Sequence, residues 1–205
     1  MRKIHKVDPL ILPFRDNADL VYAAMHREES RIQFTGNVHL RHERGGLVLH
    51  DDWEPTHNTF TTEGMNRLLD LIFGTASKAG SAIWYVGIFK NNVTPGTTDT
   101  AAAKLGAAGS YGECQDADYS TPATNKPSYV IAASASGSCT NTASAASFTI
   151  ANGANLTIYG AFLGTGAAKT DTTGYLMCAK KFATARTVIA ADVLAVTYQI
   201  TCTTS

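Results

Sequence analysis

The chain has 205 residues, with 17 basic and 17 acidic side chains, a formal net charge of zero and 44% hydrophobic residues. That balance argues against a dedicated nucleic-acid binder, because counterion release needs a surplus of Lys and Arg to meet the phosphates. It also excludes a compositionally disordered chain, and no apolar run approaches the roughly 20 residues of a membrane-spanning helix.

The charge is unevenly spread. Residues 1–57 hold 17 of the charged side chains and all six histidines, whereas residues 58–205 hold the other 17 and all four cysteines. We therefore divide the chain into an N-terminal arm and hairpin region, 1–57, and a domain over 58–205. A domain of about 150 residues buries roughly 70% of its unfolded surface and can fold alone.

The N-terminus begins basic (Arg2, Lys3, Lys6), but Leu10-Ile11-Leu12-Pro13 is followed by charges. It has neither the continuous apolar core nor the cleavage site of a signal peptide, so the chain is read as made and kept in a cytosol until assembly. Pro9 and Pro13 exclude a regular helix between them. Leu20 to Met25 predicts a short helix capped by Asp16 or Asn17. Leu10, Ile11, Leu12, Phe14, Leu20, Val21 and Tyr22 have no core of their own and are interface candidates, expected to dock on the following domain or on another subunit. Trp53 joins them.

Arg31-Ile32-Gln33-Phe34 and Val38-His39-Leu40-Arg41 alternate on either side of Thr35-Gly36-Asn37, which predicts a β-hairpin burying Ile32, Phe34, Val38 and Leu40. Leu47 to His50 predicts a further short strand, ended by Asp51-Asp52-Trp53-Glu54-Pro55. Glu63 to Phe73 predicts a helix, with Thr61 or Thr62 as N-cap, Glu63 in the first turn and Gly74 as the stop. Met65, Leu68, Leu69 and Ile72 would form its buried stripe.

From residue 80 the period becomes two. Ile83 to Phe89 is dense enough in apolar residues for a strand covered on both faces. Asn91 to Asn125 reads as loops with one short strand near Ala117 to Tyr119. Strands follow at Ser128–Ala133, Ala146–Ile150, Leu156–Leu163, Tyr175–Phe182 and Val193–Cys202. Short strands, Gly/Ser/Thr turns and one short helix indicate an antiparallel β-sandwich, of jelly-roll or Ig-like type, carrying an extended N-terminal arm with a hairpin.

Candidate chemistry is sparse. His39, His42, His50 and His57 lie among Glu43, Asp51, Asp52 and Glu54, but their spacing matches no zinc motif. They read as solvated or interface residues, with a metal site and a pH-sensitive contact as competing readings. No Gly-x-Ser-x-Gly elbow or P-loop occurs. Glu113, Asp116 and Asp118 offer oxygen ligands without a complete calcium loop. Cys114, Cys139, Cys178 and Cys202 are separated by 24, 38 and 23 residues, which suits free buried thiols better than zinc or a disulfide scaffold. The chain is read as having no catalytic, metal or cofactor residues.

Thr61-Thr62-Glu63-Gly64-Met65-Asn66-Arg67-Leu68-Leu69-Asp70, then Trp84-Tyr85-Val86-Gly87-Ile88-Phe89 and Thr94-Pro95 to Asp99-Thr100, resemble motifs of a family of small tailed-bacteriophage (podovirus-like) virion structural proteins. Tyr159-Gly160-Ala161-Phe162-Leu163 and Gly174-Tyr175-Leu176 resemble two later strands of that family. The likeness covers about residues 57–202 and implies fold-defining roles for Gly64, Trp84, Tyr85 and Asp99. It implies a non-enzymatic virion component, first a capsid cement or decoration protein on the major capsid protein. The alternatives are a neck or tail component at the portal, and then a carbohydrate-binding adhesin or tail glycosidase. A homo-oligomer is expected, with no cofactor, no direct nucleic-acid contact and no membrane.

Overall fold

Gly45 and Gly46 lie at φ +56° and +81°, the left-handed pair that a two-residue hairpin turn requires. They place the first reversal of the chain between β1 (Ile32–Arg44) and β2 (Leu47–Trp53). The turn predicted at Thr35-Gly36-Asn37 is therefore corrected: β1 is a single strand of 13 residues. Gly36 serves a crossing segment instead, its carbonyl accepting from the Asn58 N–H at 2.8 Å. Val38 and Leu40 are fully buried as expected, Phe34 is half-buried, and Ile32 is exposed.

The computed structural model describes residues 32–74, 84–151, 153–169 and 171–204. The chain divides into two units, Met1–Gln33 with Thr203–Ser205, and Phe34–Cys202. The helix predicted at Leu20 to Met25 lies outside the described residues.

After β2 come β3 (Thr59–Phe60), α1 (Thr62–Ile72), β4 (Tyr85–Phe89), α2 (Ala101–Lys104), β5 (Tyr119–Thr121) and β6 (Ser138–Thr140). The chain ends with β7 (Ala146–Ile150), β8 (Asn155–Gly164), β9 (Leu176–Ile189) and β10 (Val193–Thr204). One sheet runs β2-β1-β10-β7-β5, with β6 pairing β10; the other runs β3-β9-β8-β4. Every named strand pairing with a given register is antiparallel. The fold is an antiparallel β-sandwich, as the alternation predicts, with a second helix of one turn that the sequence reading lacked.

The inner faces share one core. Val38, Leu40, Phe148, Ile150, Leu194, Val196 and Tyr198 from the first sheet meet Val86, Ile88, Ile158, Leu163, Cys178 and Val188 from the second. Full burial of each large side chain contributes about 1.5–3 kcal/mol. The second sheet is covered on its outer face too. Phe89, Phe162, Leu176 and Ala179 pack there with Ala101, Leu105 and Tyr111, as the density of the Ile83–Phe89 run predicts. On β4 and β8, Phe162 pairs across from Gly87 and Phe89 across from Gly160, so each ring fills the space beside a residue without a side chain.

Two further expectations are corrected. Residues 128–133 form no strand: Ser128 makes one bridge to Tyr85, Tyr129 N–H donates to the Trp84 carbonyl, and residues 130–137 are exposed. The apolar stripe of α1 is mainly outward. Met65 and Leu68 are half-buried, whereas Leu69, Ile72 and Phe73 are 49%, 57% and 82% exposed.

What seats α1 is polar and local. Thr61 caps it by accepting from the Gly64 N–H at 3.0 Å and donates its own hydroxyl proton to the Leu176 carbonyl. Glu63 Oε2 accepts from the backbone N–H groups of Ala101 and Leu176 at 2.8 and 2.7 Å, joining the starts of α1, α2 and β9. A Cβ on Gly64 would stand 2.3 Å from Met177 Cα, so only glycine allows the helix to approach β9 so closely. The Arg67 guanidinium lies 5.2 Å from the Tyr175 ring centroid. Asp99 caps its turn as expected, accepting from the Gly96 N–H at 2.8 Å.

Candidate interaction surface

The charge-poor part of the chain spends its few acids internally. Of the eight acidic residues in 58–205, Glu63, Asp99, Glu113, Asp116, Asp118, Asp171 and Asp192 all hold internal hydrogen bonds or ion pairs. The loop expected to offer calcium ligands shows this directly. Glu113 pairs with Lys126 at 2.8 Å, Asp116 with Lys169 at 2.8 Å and Asp118 with Lys90 at 2.7 Å. The three carboxylates thus diverge to three different ammonium groups, and Asp118 is buried while the side chain of Asp116 is 81% exposed.

Glu113 and Lys126 are each 1% exposed in their side chains. The second Glu113 oxygen accepts from the Gly106 N–H at 2.7 Å, and Lys126 also donates to the Ala168 carbonyl. Burial pushes the Glu113 carboxyl above its ordinary value, with Lys126 opposing the shift. The Lys169 ammonium sits 3.9 Å from the Tyr119 ring centroid and donates to the Tyr119 carbonyl at 3.0 Å. These bonds tie down the long Asn91–Asn125 segment, whose regular elements are the one-turn α2 and the three-residue β5.

All four cysteines are free, with Cys114 and Cys178 buried. Burial pushes both of those thiols far up, away from the thiolate form that reacts.

The structure gives each histidine of the segment a different partner. His39 faces Asp51 at 3.1 Å, His57 Nδ1 contacts Asn37 Oδ1 at 2.7 Å, and Arg186 donates to His50 at 3.1 Å. His42 points inward, opposite to His39 as alternation predicts, and contacts Asp192 at 2.9 Å. No group of three His, Cys, Asp or Glu is arranged to hold a metal among the described residues.

Asp192 sits at the corner where the chain passes from β9 to β10, and hence from one sheet to the other. Besides His42 it holds Arg44 through two bonds of 2.9 and 2.7 Å, and accepts from the Ile189 N–H at 3.0 Å. The Arg44 hydrogen bonds, with those from Ile189 and His42, keep its carboxyl far below the usual carboxylate range against the opposing effect of burial. The sequence reading missed this cluster, since 148 and 150 residues separate Asp192 from Arg44 and His42.

Glu54 was missed too. Between the pairs Ile158↔Arg186 and Gly160↔Lys181, β8 has one residue where β9 has four, so β9 bulges. The Ala183 N–H inside that bulge is met by Glu54 Oε2 at 2.6 Å. A side-chain carboxylate stands where the ladder has no carbonyl.

What remains unused is the outer border of β2. Six of its seven residues are exposed, among them Leu47 at 66%, Val48 at 42%, Leu49 at 44% and Trp53 at 44%. Trp53 turns its ring edge to His39, centroids 5.2 Å apart. Among the described residues only β1 pairs with β2. At the other sheet border, β4 is shielded: the Val86 and Cys114 N–H groups bond to the Pro127 and Ile88 carbonyls. β3 and β5 are only two and three residues long. An edge strand of seven residues bearing apolar side chains on both faces is a template for a partner chain. Of the sequence-derived interface candidates, Trp53 lies on this strand; Leu10, Ile11, Leu12, Phe14, Leu20, Val21 and Tyr22 lie outside the described residues.

Comparison of the chain with protein-family models, with curated proteins and with solved structures finds no match.

Proposed function

We propose that this protein is a structural component of a tailed-bacteriophage particle, a capsid cement or decoration protein that binds the major capsid shell through β2 and the N-terminal arm. The observation that carries the reading is the β2 border, where Leu47, Val48, Leu49 and Trp53 stand exposed on a strand that pairs only with β1 among the described residues. Two things support it. The motif segments that resemble the phage family are employed in seating α1 on β9 and in closing the Asp99 turn, as fold-defining residues would be. Glu113 with Lys126 and Asp118 with Lys90 are held in internal pairs, and the Cys114 and Cys178 thiols are buried. The apolar Leu10-Ile11-Leu12 segment of the arm supplies a second contact to neighbouring subunits in this proposal.

The variant carrying Leu47→Lys and Leu49→Lys tests the surface. Both side chains are exposed in the free chain, so stability should change by less than about 0.5 kcal/mol. Incorporation into particles, measured by quantifying the protein in purified virions, should fall at least about tenfold, the effect of losing about 1.4 kcal/mol of binding. Undiminished incorporation would remove β2 from the interface.

A further inference from the structure

His50 lies on β2, directly across from His42 in the register with β1. Its partner, however, comes from the other sheet. Arg186 Nη2 on β9 stands 3.1 Å from His50 Nε2. A guanidinium has only donors and keeps its proton at any working pH. Nε2 must therefore accept, which requires the neutral ring with its proton on Nδ1. No carboxylate pairs with Arg186 among the described residues, and its Nε is buried without a partner. The contact therefore exists only while His50 is uncharged.

We infer that His50 and Arg186 form a proton-sensitive latch between the edge strand β2 and the bulged strand β9, closed with neutral His50 and released when the ring takes a proton. Protonation removes the acceptor lone pair that His50 presents to Arg186 and sets two cations against each other. The latch closes beside the point where Glu54 caps the β9 bulge at Ala183 and Lys180 donates to Thr56. Its release loosens β2 while the Glu54 strap holds the following residues.

The surrounding charges oppose one another. Burial and the Arg186 charge hold the His50 ring below its ordinary value, with His39 acting in the same direction, while Glu54 and Asp52 act against it. His42 faces His50 from β1 but is engaged with Asp192. His39, also on β1, is paired with Asp51 at 3.1 Å. Because the folded value lies below the unfolded one, the contribution of the latch is complete above about pH 6.5 and is lost as pH falls from there through the folded value.

Amide hydrogen exchange on the full free chain, resolved to β2, tests this without reference to any partner, so its outcome is independent of the virion reading. After correction for intrinsic exchange, protection over Leu47–Trp53 should fall at least about fivefold between about pH 7.5 and 5.5, with β8 unchanged. His50→Gln offers an amide oxygen to Arg186 at both pH values and takes no proton; it should abolish the pH response. At the higher pH the ring nitrogen shifts of His50 should show the Nδ1–H tautomer. An Nε2–H tautomer, unchanged β2 protection in the wild type, a response that persists in His50→Gln, or loss spread equally over all strands would each overturn the inference.

Discussion

Replacing Lys126 by Met should destabilise the folded chain by about 3–5 kcal/mol, the effect of leaving a buried charge without its partner. Lys126 and Glu113 are both almost completely buried, and the ammonium joins Glu113 to the Ala168 carbonyl across the loop segments. Without it, Glu113 keeps only the Gly106 N–H. Burial already raises its carboxyl against the opposing charge of Lys126, so the variant's Glu113 should take up a proton nearer neutrality. At about 2–4 °C per kcal/mol for a domain of this size, Tm should drop by roughly 6–20 °C. Adding Glu113→Gln to Lys126→Met should recover more than half of the loss, because an amide oxygen can still accept from Gly106 and no charge remains buried. Urea unfolding at unchanged slope checks both. A single-variant loss below about 1 kcal/mol would show that water reaches the pair.

Asp192→Ala should destabilise the chain by about 2–4 kcal/mol for a different reason, since it leaves buried hydrogen-bonding groups unsatisfied. Asp192 is one carboxylate serving Arg44, His42 and the Ile189 N–H at the corner between the sheets. Its removal leaves the buried His42 ring without its partner and frees the end of β1. The effect depends on pH in a definite direction. The folded carboxyl is held far below its unfolded value, chiefly by Arg44. The stabilisation is therefore fully present above the unfolded value of about 3.9 and is lost as pH falls through the folded one. Denaturant midpoints of wild type and Asp192→Ala should differ widely near neutrality and converge below about pH 4. A constant difference down to about pH 2 would contradict the assigned role.

Strand alternation was legible where the chain obeys one period for its whole length. Ala146–Ile150 is found as predicted, and the inward face of β10 is Leu194, Val196 and Tyr198. The cap of α1 and the Asp99 turn were legible because they depend on neighbours three residues away. Gly36 misled because a glycine needed by a crossing segment looks the same in sequence as one needed by a turn. The stripe on α1 misled because a helical period reports where apolar residues lie, not whether anything covers them. The second half of β9 escaped because the bulge beside Glu54 interrupts its alternation. Ion pairs such as Arg44 with Asp192 leave no local pattern, although a charge kept in a charge-poor stretch is itself a signal. The border of β2 was half legible. Trp53 stood out as an anchor, but the strand was expected to end before Asp51, whereas it continues to Trp53.

Stoichiometry in the particle tests the proposed shell role of the sandwich. The amount of this protein relative to the major capsid protein should be measured in purified particles. A cement protein repeats with the shell lattice and should be present in hundreds of copies; a neck ring follows a single cyclic axis and holds about a dozen. Hundreds of copies are expected. A dozen would contradict the shell assignment and move the protein to the neck, and its absence from particles would contradict the virion reading altogether.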